Sequence, residues 1–226
     1  MPSDIAPGVR RVPNDGLPRG NYFAPPHYLR TAIPQGVTRN RSGTRLCALT
    51  QDFLLGFLRA LQDECGSATP TVLRTCGRKW GQLLARRIEK ELSAFHEQPL
   101  GEMTMAHFQA CLEEMFRQHG WGLLRLDYSQ THQGLLLVEL RNAIMADLVK
   151  KADKPADTMM AGILAGFFAH ITDQDLDCVQ TSCPAAGGDV SRFVIGLRSR
   201  IEQAAQWLEN GKTHADIVAE LAEVRV

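Results

Sequence analysis

The chain has 226 residues, 44% hydrophobic and 22% charged, enough to bury one sizeable core and too few for two large domains. Its 25 basic and 25 acidic residues cancel, so the overall charge gives no argument for nucleic acid or an anionic membrane as a partner. The apolar runs are too short to span a bilayer and no secretory signal pattern is present, so a cytoplasmic protein without a membrane span is expected.

Residues 1–45 are predicted to form an extended N-terminal arm. They hold seven of the eleven prolines and seven arginines, with only Asp4 and Asp15 as acids. Such a composition is typical of a solvated tail. An aromatic cluster at Tyr22, Phe23 and Tyr28 instead favours an arm that docks on a protein partner. Both alternatives remain open, and in either case the arm is expected to be dispensable for folding.

The rest of the chain has the periodicity of an α+β domain. Apolar residues at helical spacing predict helices over 46–65, 69–95 and 104–119, with glycines at 66 and 120 as stops. The period then changes and predicts a β-hairpin over 121–128 and 135–140. A helix over 158–171, a strand over 191–198 and closing helices over 198–210 and 213–224 follow, the last with a Thr213-x-x-Asp216 cap.

These elements predict an α+β fold: an antiparallel sheet of three or more strands, covered by helices on one face. The domain is expected to cover 46–198, and 199–226 to add C-terminal helices packed on it. One segment invites a metal interpretation, Asp175-x-Asp177-Cys178-x4-Cys183. A closed zinc site needs four ligands and no second such pair is present, so Cys178 and Cys183 are weak candidates and no metal or cofactor is predicted. A redox-sensitive pair and purely structural cysteines are the alternatives.

Catalytic motifs are missing from the sequence. The histidines form no metal-binding pair four residues apart, no serine lies in a G-x-S-x-G elbow, and no dinucleotide fingerprint occurs. Binding is therefore favoured over catalysis, and an enzymatic role is left open.

Four short stretches carry a resemblance to a known family: ELRNA at 139–143, GILAG at 162–166, Cys178-x4-Cys183-x3-Gly187, and SRFVI at 191–195. Their order and spacing resemble the 4-vinyl reductase domain family, and the resemblance extends over about 53–197, including Gly77-x3-Gly81. It implies a small-molecule, hydrocarbon-binding module with a fold similar to TRAPP vesicle-tethering subunits. Members of the family often have a cysteine at the position of Ser191 and another near the position of Thr158. This chain lacks both thiols, on which a metal or redox role would depend.

The leading hypothesis is a ligand-binding or regulatory domain of this type that forms a homodimer. Aromatic bulk beside small helical residues is the expected lining of an apolar site, although the same residues would also suit a core. The predicted ligand-binding residues are Trp80, Leu84, Trp121, Gly162, Gly166 and Phe167.

Two rival interpretations remain. Residues 121–126 and 162–168 are faintly similar to the D subunit of bacterial cellulose synthase complexes, which implies a non-enzymatic scaffold in polysaccharide export. A reductase acting on a vinyl-bearing pigment is the third interpretation and lacks a nucleotide-binding motif.

Overall fold

The computed structural model describes residues 19–149, 151–155 and 157–223. These residues form helices and antiparallel strands, so the predicted α+β class is confirmed. The strands are β1 (Leu29–Ala32), β2 (Val37–Asn40), β3 (Arg45–Leu46), β4 (Leu123–Asp127), β5 (Leu136–Arg141), β6 (Leu176–Ser182) and β7 (Ser191–Leu197). The α-helices are α1 (Gln51–Cys65), α2 (Thr69–His96), α3 (Met105–Gln118), α4 (Ile144–Leu148), α5 (Thr158–Thr172), α6 (Arg198–Glu209) and α7 (His214–Glu223).

The larger sheet has four strands in the order β4-β5-β7-β6, and each neighbouring pair is antiparallel. The hairpin of β4 and β5 and the returning strand β7 lie where the sequence predicted them. Strand β6 was not predicted, and it occupies the segment that carries Asp177 and Cys178. Its five central residues are all buried, so the alternation that reveals a half-exposed strand is absent there.

Helices cover this sheet on both faces, whereas the sequence predicted one covered face. The first core joins α2, α3 and α5 to the face that presents Cys178, Phe193 and Ile195. The second core joins α6 and α7 to the opposite face, which presents Val179 and Val194. Because side chains alternate along a strand, neighbouring residues of β6 and β7 serve different cores.

Helices α2 and α5 cross at unusually short range. A Cβ atom at Gly166 would lie 2.9 Å from the Arg78 carbonyl carbon, and one at Gly162 would lie 2.9 Å from the Arg78 amide nitrogen. Gly77 and Gly81 face the backbone of α5 in the same way. The close packing predicted from the Gly162 and Gly166 spacing is confirmed. Although α5 is strongly apolar, none of the described helices has both the length and the hydropathy needed to cross a membrane.

The N-terminal segment is folded onto the domain from Arg19 onward. Strands β1, β2 and β3 form a separate antiparallel sheet, and Tyr22, Phe23 and Tyr28 are completely buried in the first core. The extended arm is therefore not observed over 19–45, and these three aromatic rings contact their own domain rather than a partner. The arginine-rich part before residue 19 lies outside the described residues.

Helix α1 differs from its prediction in another way. Its apolar stripe was expected to face inward, but none of its residues is buried. Phe53 and Phe57 are 54% and 47% exposed, so an apolar helical face remains uncovered by the rest of the described chain.

Candidate functional site

An apolar cavity of about 530 Å³ lies where the C-terminal end of α5 passes over the larger sheet. Leu136 of β5 and Ile195 of β7, which are paired across the sheet, form part of its floor. Phe168 and Ile171 of α5 and Phe108 of α3 form walls. This volume falls in the range of roughly 300–1,000 Å³ that is usual for small-molecule sites.

Three glycines lie among the residues that line this cavity. A Cβ atom at Gly101 would meet nothing within 4 Å, whereas one at Gly196 would press against Leu135 and Ile201. Gly134 closes a turn in a left-handed conformation with φ 71°. The remaining lining residues are half apolar and half polar: Leu100, Met103, Met105, Leu135 and Leu176, and Glu89, Tyr128, Thr131, Thr172 and Gln174.

Tyr128 supplies a polar group to this lining. Its hydroxyl is buried and has no hydrogen-bond partner among the described residues. Burial, with a smaller contribution from the charge of Glu113, raises the pKa of Tyr128 to about 12. The hydroxyl is therefore neutral at pH 7 and retains one donor and its acceptor capacity, neither of which is used within the described chain.

The predicted ligand-binding residues do not line this cavity. Trp80, which is 38% exposed, meets Trp121 edge to face with ring centroids 5.2 Å apart, at a different place in the fold. The space beside Gly162 and Gly166 is filled by the backbone of α2, so no room for a ligand remains there. Leu84 lies in the first core.

Phe167 packs against two residues of the cavity wall. Its ring stacks on Phe108 at 6.4 Å between centroids and meets Phe168 at 5.4 Å, and both of those residues are wall residues. Phe167 thus supports the wall from behind. The sequence signal that pointed to it applied equally to its neighbour Phe168.

The environment of the acidic and cysteine residues in and next to β6 opposes a metal interpretation. Asp177 Oδ1 accepts a hydrogen bond from Arg74 at 2.8 Å, and Asp175 accepts two from Arg198 at 2.7 and 2.8 Å. Burial in the first core raises the pKa of the Cys178 thiol far above its usual value, so it stays protonated. Cys183 is buried, and no three His, Cys, Asp or Glu side chains converge as a metal site within 19–149, 151–155 and 157–223.

A second polar cluster lies under the N-terminus of α5. Asp157 caps the helix by accepting the Met160 amide at 2.9 Å, and its own amide donates to Gln180 Oε1 at 2.8 Å. Ser191 lies on the same face of the sheet as Gln180. Asp157 Oδ2, Gln180 Nε2 and Ser191 Oγ are buried without a partner in the described structure. With a serine and an amide beside one carboxyl group, the cluster lacks the thiolates of a tight structural zinc site.

This cluster predicts a pH-dependent stability. Burial raises the pKa of Asp157 to about 7, so the folded state keeps a proton that the unfolded state loses above roughly pH 4. Stability should therefore fall as pH rises toward 7 and level off above it. Asp157→Asn retains an acceptor for Met160 and removes the ionisation. From pH 5 to pH 8, the free energy of unfolding of this variant should rise relative to that of the parent by at least about 1 kcal/mol.

Urea denaturation at several pH values measures this difference. Asp147→Asn, at an exposed position of α4, serves as the control for a simple change of net charge. If both variants follow the same pH profile as the parent, Asp157 is ionised in the folded protein.

Comparison with known proteins finds a similarity to one protein family over part of the chain. Residues 136–197 match the model of the 4-vinyl reductase domain. No curated protein matches the chain. The phenol-responsive sensory domain of the transcription activator PoxR, solved with phenol, is similar in structure. The TM-score is 0.61 at 16% identity, over 86% of this chain and 90% of that one.

Two further solved structures have lower scores. One is a vinyl-4-reductase family protein from Methanocaldococcus jannaschii, with a TM-score of 0.47 and 18% identity over 66% of this chain and 82% of that one. The other is trafficking protein particle complex subunit 3 from Naegleria fowleri, bound covalently to palmitic acid. Its TM-score is 0.49 at 15% identity, over 66% of this chain and 95% of that one. From β5 to the end of β7 the chain is therefore similar to the 4-vinyl reductase domain, the family that its sequence resembles.

Proposed function

We propose that this chain is a non-enzymatic regulatory domain that binds an uncharged, largely apolar small molecule in the cavity beneath the end of α5. The observation that carries the proposal is a 530 Å³ space with apolar walls and a buried, unpartnered hydroxyl at Tyr128. A few polar groups in an otherwise apolar pocket are the usual means of orienting a small ligand.

The chemistry of the lining indicates which molecules suit the site. The walls offer aromatic and aliphatic contacts from Phe108, Phe168 and Ile195. A charged group placed among them would lose its hydration, and Glu89, the one charged side chain of this lining, offers no partner to an anion. Small aromatic molecules with at most one hydroxyl fit best, and the phenol-responsive domain that shares this fold supports the choice of phenol as one probe.

The exposed face of α1 supports a homodimer. A 15-residue helix is marginal in water by itself, and α1 leaves Phe53 and Phe57 largely exposed. A second copy is the simplest cover, because most soluble oligomers are made of identical chains. The same face would equally serve the alternative function, an accessory scaffold subunit in polysaccharide synthesis and export.

Filling the cavity should abolish ligand binding. Leu136→Trp places a bulky side chain on the cavity floor, so the affinity for phenol, toluene and naphthalene should fall at least about tenfold, or about 1.4 kcal/mol. Leu137→Trp is the matched control, since Leu137 points to the opposite face of the sheet. Titration calorimetry with the three probes measures the loss.

Native mass spectrometry of protein purified from its own host complements the titration, because it reports retained ligand and stoichiometry together. A dimer that carries a small organic molecule supports both parts of the proposal. Ligand-free protein that also fails to bind all three probes would favour the scaffold alternative instead.

A further inference from the structure

The cavity and the C-terminal helices share a wall at Leu135. This residue lines the cavity, yet it is buried in the second core together with Ile201 of α6 and Leu221 of α7. Gly196 makes the contact possible. A Cβ atom there would lie 3.0 Å from Leu135 Cδ2 and 3.5 Å from Ile201 Cδ1, so little separates the cavity from α6.

Arg200 connects the same two parts through hydrogen bonds. Its side chain is buried, and its guanidinium donates to the carbonyl oxygen of Gln133 and to that of Leu221. Gln133 belongs to the short turn whose residues Thr131 and Gly134 lie at the cavity rim. The planar guanidinium is suited to bridging two acceptors at fixed geometry, which a lysine ammonium is not. Arg200 therefore ties the rim of the cavity to α7.

This connection is incompletely satisfied. Arg200 Nε and Gln133 Oε1 are both buried without a hydrogen-bond partner among the described residues. They belong to two residues that are already bonded through other atoms, so the contact between the turn and Arg200 is bonded less completely than these groups allow.

We infer that occupancy of the cavity controls how firmly α7 is held, through Leu135 and the Arg200 bridge. This inference rests on the proposed function, which gives the class of molecule that would fill the cavity. A molecule in the cavity fixes Leu135 and the turn at Thr131 to Gly134. The fixed turn then holds Arg200, and Arg200 holds the carbonyl group of Leu221 in the last turn of α7. With the cavity empty, the turn and α7 loosen together.

Hydrogen–deuterium exchange, read by mass spectrometry on peptides from α7, tests the coupling in the full chain. The cavity is filled in two independent ways, by saturating toluene and by the Leu136→Trp substitution. Both are expected to slow exchange in α7 about fivefold or more, relative to a reference peptide from α2. In Arg200→Lys the same two treatments should change the exchange rate of α7 peptides by no more than about twofold.

The outcomes separate this inference from the proposed function. If toluene does not bind, the proposed function loses support, and the Leu136→Trp arm still decides the coupling. The coupling is overturned if filling the cavity leaves the exchange rate of α7 unchanged. It is also overturned if filling the cavity slows this exchange as much in Arg200→Lys as in the parent. Should Arg200→Lys not fold, Arg200→Met replaces it, because it keeps similar length without a buried charge.

Discussion

A chain that lacks residues 1–40 is expected to lose its cooperative unfolding transition, because the deletion removes a part of the first core. Tyr22, Phe23 and Tyr28 are at most 1% exposed and pack edge to face on one another. Removing one buried aromatic side chain costs about 3–5 kcal/mol. The sum for three of them is comparable with the whole stability of a domain, about 5–15 kcal/mol.

Hydrogen bonds from the same segment add to this loss. Asn40 donates to Glu91 Oε1 at 2.8 Å, and both side chains are buried. Tyr28 and His119 are bonded at 3.2 Å between the hydroxyl and Nε2. Deletion would leave the Glu91 carboxylate without its Asn40 partner at the surface of α2. A buried polar group that loses a partner costs more than the bond itself contributed.

Circular dichroism during thermal unfolding shows whether the cooperative transition is lost. Two point variants test whether the loss comes from the buried aromatic residues rather than from truncation as such. Tyr28→Ala should lower stability by about 3–5 kcal/mol, since its ring is completely buried. Leu29→Ala, at the next residue along the chain, whose side chain is 40% exposed, should stay within about 0.5 kcal/mol of the parent. A deleted chain that melts within a few degrees of the parent would show that residues 19–40 are an appendage.

The elements predicted well from the sequence are those with a clear periodic face. Helices α2 and α3 and the hairpin of β4 and β5 each bury one side, and their apolar residues recur accordingly. Helix α5 is buried all round from Met160 to Phe168, and its long apolar run indicated it instead. Strand β6 carries no such signal because both faces are buried. The segment over 19–46 was missed because its proline and arginine content resembles that of a tail, although three of its aromatic residues anchor it.

The candidate site was harder to predict than the fold. Its lining comes from segments between Glu89 and Gly196, far apart in sequence, and no spacing connects them. The unpartnered hydroxyl of Tyr128 is a property of the folded state alone. By contrast, the spacing of Gly162 and Gly166 did indicate close backbone packing. The sequence could not show whether the space opposite these glycines is filled by another helix or left for a ligand.

Helix α2 fills that space, and so Gly166 should tolerate no side chain. At this position the nearest atoms belong to the backbone of Arg78, which cannot rotate away as a flexible side chain could. Gly166→Ala should therefore cost about 3 kcal/mol, at the upper end for overpacking, despite the better helix propensity of alanine. The larger Gly166→Leu change should prevent the two helices from packing and leave no cooperative transition.

Gly56→Ala is the matched control for this prediction. Gly56 also lies within a helix, α1, but a Cβ atom there would meet nothing within 4 Å. The substitution should raise stability by about 1 kcal/mol from propensity alone. Urea denaturation of the three variants gives the comparison. If Gly166→Ala gains stability as Gly56→Ala does, α2 and α5 are not in backbone contact. The first core would then have to be assembled around a looser crossing, with space between these helices that the fold as described does not contain.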